Sequence, residues 1–176
     1  MLPLEARGIS MQRVCQTGLS ALVVALSLAT TVALAKPFTY INARYGTVCT
    51  FPSQIFSKPM PESLNGDGRK WLSPDGASLS CYGGYKLTED TPDSLVEKEK
   101  ADPDSGEKVT YSKTGKNWAV VSSTKGDKIF YTRIVFEKED AIHTVWIEYP
   151  ASLKAKYDPL VGAIGDSLHG AEQHWE

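Results

Sequence analysis

The chain has 176 residues, 41% of them hydrophobic, and its 19 Lys+Arg against 21 Asp+Glu give a formal charge of −2 at neutral pH. This length accommodates a globular domain with a sizeable core. A mildly acidic chain lacks the basic surface by which proteins bind nucleic acid or anionic membranes, so neither is expected as a partner.

The first 35 residues have the parts of a secretory signal peptide. Arg7 and Arg13 supply positive charge, an uncharged apolar stretch follows, and Ala33 and Ala35 form an A-x-A cleavage site. The alternative is an N-terminal membrane anchor, but the apolar core is short for a span of about 20 residues. We therefore expect cleavage after Ala35 and no stable membrane insertion afterwards.

Cleavage would leave residues 36–176 as a single globular α+β domain in the periplasm, or secreted. The removed segment contains two arginines and one glutamate, so the remaining formal charge is −3. Translation can start at Met1 or at Met11, and both starts predict the same mature product.

Two cysteines remain after cleavage, Cys49 and Cys81. An even number of cysteines in an exported domain predicts a disulfide. The bridge would close a loop of about 30 residues, worth roughly 3 to 4 kcal/mol in the chain-entropy model. Two buried free thiols are the alternative, whereas a zinc site would need the C-x-x-C spacing that is missing here.

The first half of the mature chain predicts strands joined by turns. Residues 58–68 contain two prolines and an Asn-Gly-Asp-Gly run, which predicts an exposed loop. Ser-Pro-Asp-Gly at 73–76 predicts a hairpin turn, and Gly83 and Gly84 are expected to end this unit. The predicted strands are 38–43, 47–51, 69–72 and 77–82.

A solvated helix is predicted next. Thr91 is a suitable N-cap and Pro92 a suitable first helical residue. Eight acidic residues lie between residues 89 and 107, and few aliphatic residues accompany them. The helix and the loop after it are therefore expected to face water.

The second half predicts an antiparallel meander followed by a helix. Apolar residues on both faces of the third strand indicate that it lies inside the sheet with material packed on each side. After it, Asp158 is the predicted cap, Pro159 the first residue of a helix over 159–168, and Gly170 its C-terminal glycine. The meander strands are 108–112, 118–122, 128–136 and 141–149.

The order of these elements resembles the PsbP-like fold, named for the extrinsic photosystem protein. The resemblance rests on residues 45–52 at the start and on 145–150, 157–161 and Ser167-Leu168 at the end. The mature chain also resembles small uncharacterised exported proteins of alphaproteobacteria. The shared segments there are Gly66-Asp67-Gly68-Arg69, Tyr82-Gly83, Asn117-Trp118 and Phe130-Tyr131.

The resemblance implies an antiparallel sheet with helices packed on its faces, as an α+β sandwich. Domains of this kind serve mostly as binding or assembly modules rather than as enzymes. It supplies no catalytic residues, and it does not require the pair Cys49 and Cys81, so the disulfide rests on its own argument.

Histidines offer little for acid–base or metal chemistry. His143 lies in the last meander strand on the face of Val145 and Ile147, where a hydrogen-bonded core histidine is expected and a site histidine is the alternative. His169 and His174 are five residues apart across a glycine, near a chain end. No metal site is expected there.

Acidic and serine-rich segments also lack the spacing of a site. Asp102, Asp104 and Glu107 resemble part of a calcium loop without the EF-hand pattern, so a solvated loop is expected and weak calcium binding is the alternative. Ser122 and Ser123 lie beside a turn, and no G-x-S-x-G is present. We assign no catalytic residue, metal ligand or cofactor.

Aromatic residues are the remaining enrichment. Trp71, Trp118 and Trp146 fall in predicted strands, while Trp175 belongs to the C-terminal tail. Core packing explains most of them, and an aromatic-lined groove for a peptide, glycan or apolar ligand is the alternative. Ligand-binding residues therefore stay unassigned. The strands also carry Tyr82, Tyr85, Tyr111, Tyr131 and Tyr149.

These observations favour a non-catalytic periplasmic binding or assembly module that recognises an envelope protein or a small ligand. The alternatives are an envelope hydrolase of an unrecognised type and a structural or stress-linked envelope protein. A pocket that holds His143 or an acid pair would favour the hydrolase, and an aromatic groove would favour the binding module.

Overall fold

The first strands of the domain form a small antiparallel sheet. β1 (Pro37–Ile41) pairs with β2 (Thr47–Pro52), and the two-residue β10 (His169–Gly170) pairs with the other edge of β2. These elements come from a computed structural model that describes residues 36–87, 89–101, 106–137 and 140–171.

The remaining strands form a larger, seven-stranded sheet, also antiparallel. The four predicted meander strands are present in it, each adjacent to the next, and the strand with two apolar faces is flanked on both sides as predicted. In order across the sheet the strands are β3 (Lys58–Glu62), β4 (Gly68–Leu72), β5 (Ser78–Tyr85), β9 (Ala141–Pro150), β8 (Lys128–Phe136), β7 (Trp118–Lys125) and β6 (Lys108–Thr114).

Both faces of the larger sheet are covered in part. The inner face, which carries Leu79 and Ile147, packs against the small sheet and against helix α2 (Lys154–Asp166) to form the main core. The outer face, which carries Ala119 and Val121, packs at β6 and β7 against Val96 of helix α1 (Pro92–Ala101). The fold class is therefore α+β, as the sequence predicts.

Cys49 and Cys81 lie where the two sheets meet. Cys49 is in β2, Cys81 is in β5, and both side chains are fully buried. Their Cα atoms are 6.6 Å apart and their sulfur atoms 2.18 Å apart. Neighbouring layers thus present the two residues to each other, as the predicted bridge requires.

Two local predictions are confirmed in detail. The Ser94 amide donates to the Thr91 hydroxyl at 3.0 Å, which is the N-cap bond of α1. In the turn between β4 and β5, Gly76 has a φ of +91°, a left-handed conformation that glycine adopts without steric cost. The Gly76 amide donates to the Ser73 carbonyl at 3.2 Å and closes the turn.

The prediction of a continuous loop over 58–68 is wrong at its beginning, because β3 occupies Lys58–Glu62. Pro59 and Pro61 argued against a strand, since proline cannot donate to a ladder. Among the described strands, however, β3 pairs with β4 alone, and an edge strand tolerates prolines whose nitrogen atoms face away from the partner. The side chain of Arg69 adds a bond from its Nε to the Met60 carbonyl at 2.7 Å.

The expected end of the hairpin unit at the two glycines is also wrong, because β5 continues to Tyr85. Gly83 is required there for close packing rather than for a turn. A Cβ atom at this position would lie 2.5 Å from the Cβ of Tyr45 and 2.5 Å from the hydroxyl of Thr47.

The final helix begins and ends earlier than predicted. α2 begins at Lys154, so Pro159 lies inside it, and it ends at Asp166 with Ser167 as the C-cap. Tyr157 explains the early start, because its fully buried ring stacks on Tyr149 at 5.1 Å and thereby fixes the turn before the proline. Gly170 does not cap the helix; it pairs with β2 as part of β10.

Candidate functional site

A cleft opens on the inner face of the larger sheet, between strands β6 to β8 and helix α2. It has a volume of about 400 Å³, and aromatic and charged side chains surround it. We call it the aromatic cleft and define it by Tyr111, Lys113, Trp118, Tyr131, Arg133 and Asp166.

Strand register brings these side chains together. Lys113 of β6 lies opposite Val120 of β7, which lies opposite Arg133 of β8, so the three form one row across the inner face. Tyr111 and Tyr131 belong to the neighbouring row. Residues two apart on one strand point to the same face, so three short strands concentrate aromatic and cationic groups here.

Arg133 is the central charged group of the cleft. Its guanidinium carbon lies 4.6 Å from the centre of the Trp118 ring, which is a cation–π contact. Its Nη1 lies 3.3 Å from a carboxylate oxygen of Asp166, and its Nε is buried without a hydrogen-bond partner among the described residues. Arg133 thus joins the aromatic wall to α2 and retains one unsatisfied donor.

Lys113 adds a second positive charge at the rim. Its Nζ lies 6.0 Å from the centre of the Trp118 ring, and the side chain is exposed. Lys113 and Arg133 outweigh the single carboxylate of Asp166. The cleft therefore presents aromatic surface together with a net positive charge, and this combination favours ligands or side chains that are flat or acidic.

Two glycines of α2 lie on the side of the helix that faces the larger sheet and the cleft. A Cβ atom at Gly165 would overlap the Tyr131 hydroxyl and lie 3.0 Å from Arg133 Cδ, so only glycine permits this packing. Gly162 lines the cleft, and a Cβ there would meet nothing within 4 Å. Burial raises the pKa of Tyr131, and the charge of Arg133 partly opposes that rise.

Two other cavities have different chemistry. A groove of about 310 Å³ between β2 and α2 is almost entirely apolar, with Pro52, Leu160 and Ile164 among its walls. A recess of about 230 Å³ near the outer face of β4 is polar, with Arg69 and Tyr82 among its walls. Neither combines aromatic surface with charge to the extent that the aromatic cleft does.

His143 occupies a core position, as expected from its strand. It is 1% exposed, and its Nδ1 lies 2.8 Å from the Thr47 hydroxyl. Burial lowers the pKa of His143; the carboxylate of Glu137 opposes this effect and the imidazole of His169 adds to it. His143 lines none of the three cavities described above.

The other sequence candidates do not converge on a site. The Ser122 hydroxyl donates to the Phe130 carbonyl at 2.9 Å, and the Ser123 hydroxyl donates to the Glu107 carboxylate. The exposed His169 has its Nδ1 2.9 Å from the Ser167 carbonyl oxygen. Outside the described residues lie Asp102, Asp104, His174 and Trp175.

The predicted aromatic residues divide among three environments. Trp71 and Tyr149 are in the core, Trp118 and Tyr131 line the aromatic cleft, and Trp146 lies on the outer face with its ring 5.7 Å from Phe130. Core packing therefore accounts for some of these residues and others line a cavity, whereas ligand binding by that cavity stays a prediction. Tyr82, Tyr85 and Tyr111 are exposed.

The sequence reasoning missed the charged members of the cleft. Lys113 and Arg133 lie in strands as single charges among apolar or polar neighbours, a weak signal of an inward-facing cation. Asp166 follows a glycine near the end of α2, and nothing in the sequence pairs it with a residue 33 positions earlier. Strand register places Lys113 and Arg133 in one row, and the packing of α2 on the sheet brings Asp166 to Arg133.

A second cluster that the sequence did not reveal joins α2 to the turn between β4 and β5. The Tyr157 hydroxyl donates to Asp75 at 2.6 Å and lies 3.0 Å from the Ser73 oxygen, while Lys156 pairs with the same carboxylate. Burial alone would raise the pKa of Asp75, but hydrogen bonds from Lys156, Ser73 and Tyr157 hold it well below its ordinary value. We call this cluster the Asp75 latch.

The described residues contain neither a metal-binding cluster nor a membrane-spanning helix. Within residues 36–87, 89–101, 106–137 and 140–171, no three His, Cys, Asp or Glu side chains are arranged to hold a metal ion. In that part of the chain, no helix has both the length and the apolar character needed to span a membrane.

Comparisons with known proteins bear on the fold. No protein-family model matches the chain, and no curated protein matches it by sequence. Among solved structures, it is similar to the solution structure of cyanobacterial PsbP (CyanoP) from Synechocystis sp. PCC 6803. The TM-score is 0.58 and the identity 10%, over 82% of this chain and 98% of that one. The chain therefore has the PsbP-like α+β fold.

Proposed function

We propose that this protein is a non-catalytic binding or assembly module of the periplasm whose ligand site is the aromatic cleft. The observation that carries the proposal is the arrangement of Trp118 and Tyr131 with Arg133 in an open cavity on one face of the sheet. Rigid strands hold these side chains, so the site is formed before a ligand arrives.

We infer the periplasmic location from the N-terminal sequence and from the cysteines. We propose that residues 1–35 are removed as a signal peptide, that residues 36–176 are the mature domain, and that the protein belongs with the exported alphaproteobacterial proteins it resembles. The facing positions of Cys49 and Cys81 support an oxidising compartment.

A catalytic role receives less support from the arrangement of reactive groups. His143 is buried and bonded to Thr47, and the aromatic cleft contains no histidine, cysteine or serine among its lining residues. The cleft instead offers stacking surface and hydrogen-bond donors, the features by which ring-bearing or acidic groups are bound.

A ligand screen on the protein purified from the periplasm tests the cleft. Aromatic carboxylates, saccharides and short peptides are screened by thermal shift, and hits are repeated with Gly162→Leu, which fills the cleft from α2. Gly162→Ala is the matched control, because a methyl group there leaves most of the cavity open. We expect ligands that bind the wild type and the alanine variant but do not bind the leucine variant. Ligands that bind all three proteins equally would contradict the cleft as the binding site.

Export is tested separately. The full chain is expressed in a Gram-negative host and the periplasmic fraction is analysed by N-terminal sequencing. We expect a product that begins at Lys36, because cleavage follows Ala35. A membrane-bound product that retains the N-terminal segment would contradict the proposed location.

A further inference from the structure

The two outer edges of the larger sheet differ in a way that points to a partner. β3 forms one edge and contains Pro59 and Pro61, which remove donors and discourage pairing with another strand. β6 forms the other edge and has no proline over its seven residues. β6 therefore keeps its amide donors, and beyond the register shift between Val109 and Tyr111 its pairing with β7 is regular up to Thr114.

The backbone of β6 offers hydrogen-bonding groups on its free side. The Gly115 amide donates to the Trp118 carbonyl at 2.8 Å, which fixes this pair as hydrogen-bonded. Hydrogen-bonded and non-hydrogen-bonded pairs alternate along an antiparallel ladder. Ser112 and Thr114 are in non-hydrogen-bonded pairs, so their N–H and C=O groups point away from β7, and no described strand pairs with that side.

Charge distinguishes this edge from the rest of the molecule. Residues 108–117, which form β6 and the turn after it, contain three lysines and no acidic residue, in a chain whose formal charge is −2. Lys108, Lys113 and Lys116 are exposed along the strand and the turn after it. An approaching acidic segment would therefore be attracted to β6.

The aromatic cleft adjoins the same edge. An added strand would extend the rows that contain Tyr111 and Lys113, and its inward side chains would lie beside the rim of the cleft. Tyr111 is 53% exposed, so it is available to pack against an incoming side chain. Backbone pairing would supply affinity, and the cleft with its two cations would select the side chains.

We infer that an acidic, extended segment of a partner protein binds this domain by pairing as an additional strand with β6 and placing aromatic or acidic side chains at the aromatic cleft. This inference rests on the proposed function, because it assigns a partner class to the same cleft. It goes further in naming the backbone edge as part of the site.

The test is selection of a displayed library of random twelve-residue peptides on the processed protein. We expect enrichment of sequences that are rich in Asp and Glu and that alternate with aromatic or apolar residues. Ser112→Pro removes one outward amide at an edge position that tolerates proline, and should weaken binding at least about tenfold, as the loss of a paired hydrogen bond does. Ser112→Ala keeps the amide and should bind as the wild type does.

Charge reversal provides the second arm. Lys113→Glu should lower the affinity for the selected peptides by at least about tenfold. Lys58→Glu, on the opposite edge, should leave the affinity unchanged. If Ser112→Pro fails to fold, amide exchange on the wild type replaces it: bound peptide should protect the amides of Ser112 and Thr114.

The outcomes separate the two proposals. Absence of acidic enrichment, full binding to Ser112→Pro, or unprotected amides at Ser112 and Thr114 would overturn strand pairing at β6. If the selected peptides nevertheless fail to bind Gly162→Leu, the cleft remains a binding site and only the inference of strand pairing fails. If Gly162→Leu binds every selected peptide and every screening hit as the wild type does, the proposed function fails as well.

Discussion

At the scale of single residues, the hydroxyl of Tyr157 connects two distant parts of the chain. The side chain is fully buried, and its bonds to Asp75 and Ser73 hold the β4–β5 turn against α2. A hydrogen bond to a charged group contributes more than one between neutral groups, and the carboxylate of Asp75 is only partly exposed. We therefore expect the Asp75 latch to stabilise the fold.

Tyr157→Phe should lower the free energy of unfolding by about 1 to 3 kcal/mol at neutral pH. The hydrogen bonds that depress the pKa of Asp75 contribute stability that is complete above the ordinary pKa of 3.8 and declines as pH falls from there towards the lowered pKa of the folded state. Urea unfolding at pH 7 and at pH 3 measures both effects, and most of the cost of the variant should persist at pH 3, because the lowered pKa keeps Asp75 ionised in the folded protein.

The control is Tyr149→Phe. The Tyr149 hydroxyl donates at 2.9 Å to Asp158, which is partly exposed and also pairs with Lys154, so water can replace the lost bond. A cost for Tyr149→Phe equal to that of Tyr157→Phe would contradict the special role of the latch.

His143 gives a second, separate dependence on pH. Its pKa is lowered by burial, so the unfolded chain takes up a proton at a higher pH than the folded chain does. Stability is therefore complete above the ordinary value of 6.5 and declines as pH falls through it. The carboxylate of Glu137 opposes this lowering of the pKa and the imidazole of His169 reinforces it. Neither of them takes part in the hydrogen bond between His143 and Thr47.

We expect the urea concentration at the unfolding midpoint of the wild type to decrease as the pH is lowered from 7 to 5. In His143→Asn this decrease should be much smaller. Asparagine has no titratable group in this range and can still bond to the Thr47 hydroxyl. Identical slopes of the two proteins over this interval would show that another group titrates there.

At the scale of elements, α2 contains two glycines that the sequence alone does not distinguish. Gly162 faces open space in the cleft, whereas Gly165 lies against Tyr131 and Arg133. Helical glycine is destabilising relative to alanine because it loses more backbone freedom on folding. The two positions therefore respond to the same substitution in opposite directions.

Gly162→Ala should stabilise the protein by about 0.5 to 1 kcal/mol. Gly165→Ala should destabilise it by about 1 to 3 kcal/mol, because the added methyl group forces apart well-packed side chains. Thermal unfolding of the two variants provides an internally matched comparison. Stabilisation by both substitutions would mean that α2 does not approach β8 as closely as described.

Edge strands show how an element's position changes the meaning of its residues. Two prolines in 58–68 are typical of a loop when the sequence is considered by itself. β3 nevertheless forms with both of them, because within the described part of the chain a strand pairs with one side of it and not the other. In β8, in contrast, apolar residues occur on both faces of the strand. This pattern was sufficient to predict an internal strand, because each apolar face needs a layer packed against it.

At the scale of the whole molecule, the link between Cys49 and Cys81 would connect the small sheet to the larger one across 32 positions of sequence. Loop closure by such a bridge reduces the conformational entropy of the unfolded chain. Its effect would therefore be felt by the entire domain rather than by either strand.

The double substitution of Cys49 and Cys81 by alanine should lower the free energy of unfolding by about 3 to 4 kcal/mol. Dithiothreitol should destabilise the wild type to a similar degree and leave the variant unchanged. Mass spectrometry of the periplasmic protein should find residues 49 and 81 linked, whereas two alkylatable thiols would contradict the bridge.

Local sequence signals determined the elements that need only their own residues to form. Thr91 with Pro92 predicted the start of α1, and the Pro-Asp-Gly turn predicted the β4–β5 hairpin, because capping and turn geometry depend on a few adjacent groups. The meander followed from strand-length apolar runs separated by short turns. The order of these elements also gave the α+β, PsbP-like fold.

Tertiary structure decided what distant residues create together. The aromatic cleft takes Lys113, Trp118 and Arg133 from three strands and Asp166 from α2, and the early start of α2 depends on a partner ring, Tyr149. Such groupings follow from strand register and layer packing, which join residues far apart in the chain. No local pattern encodes them, so the site emerged only when the sheets were paired.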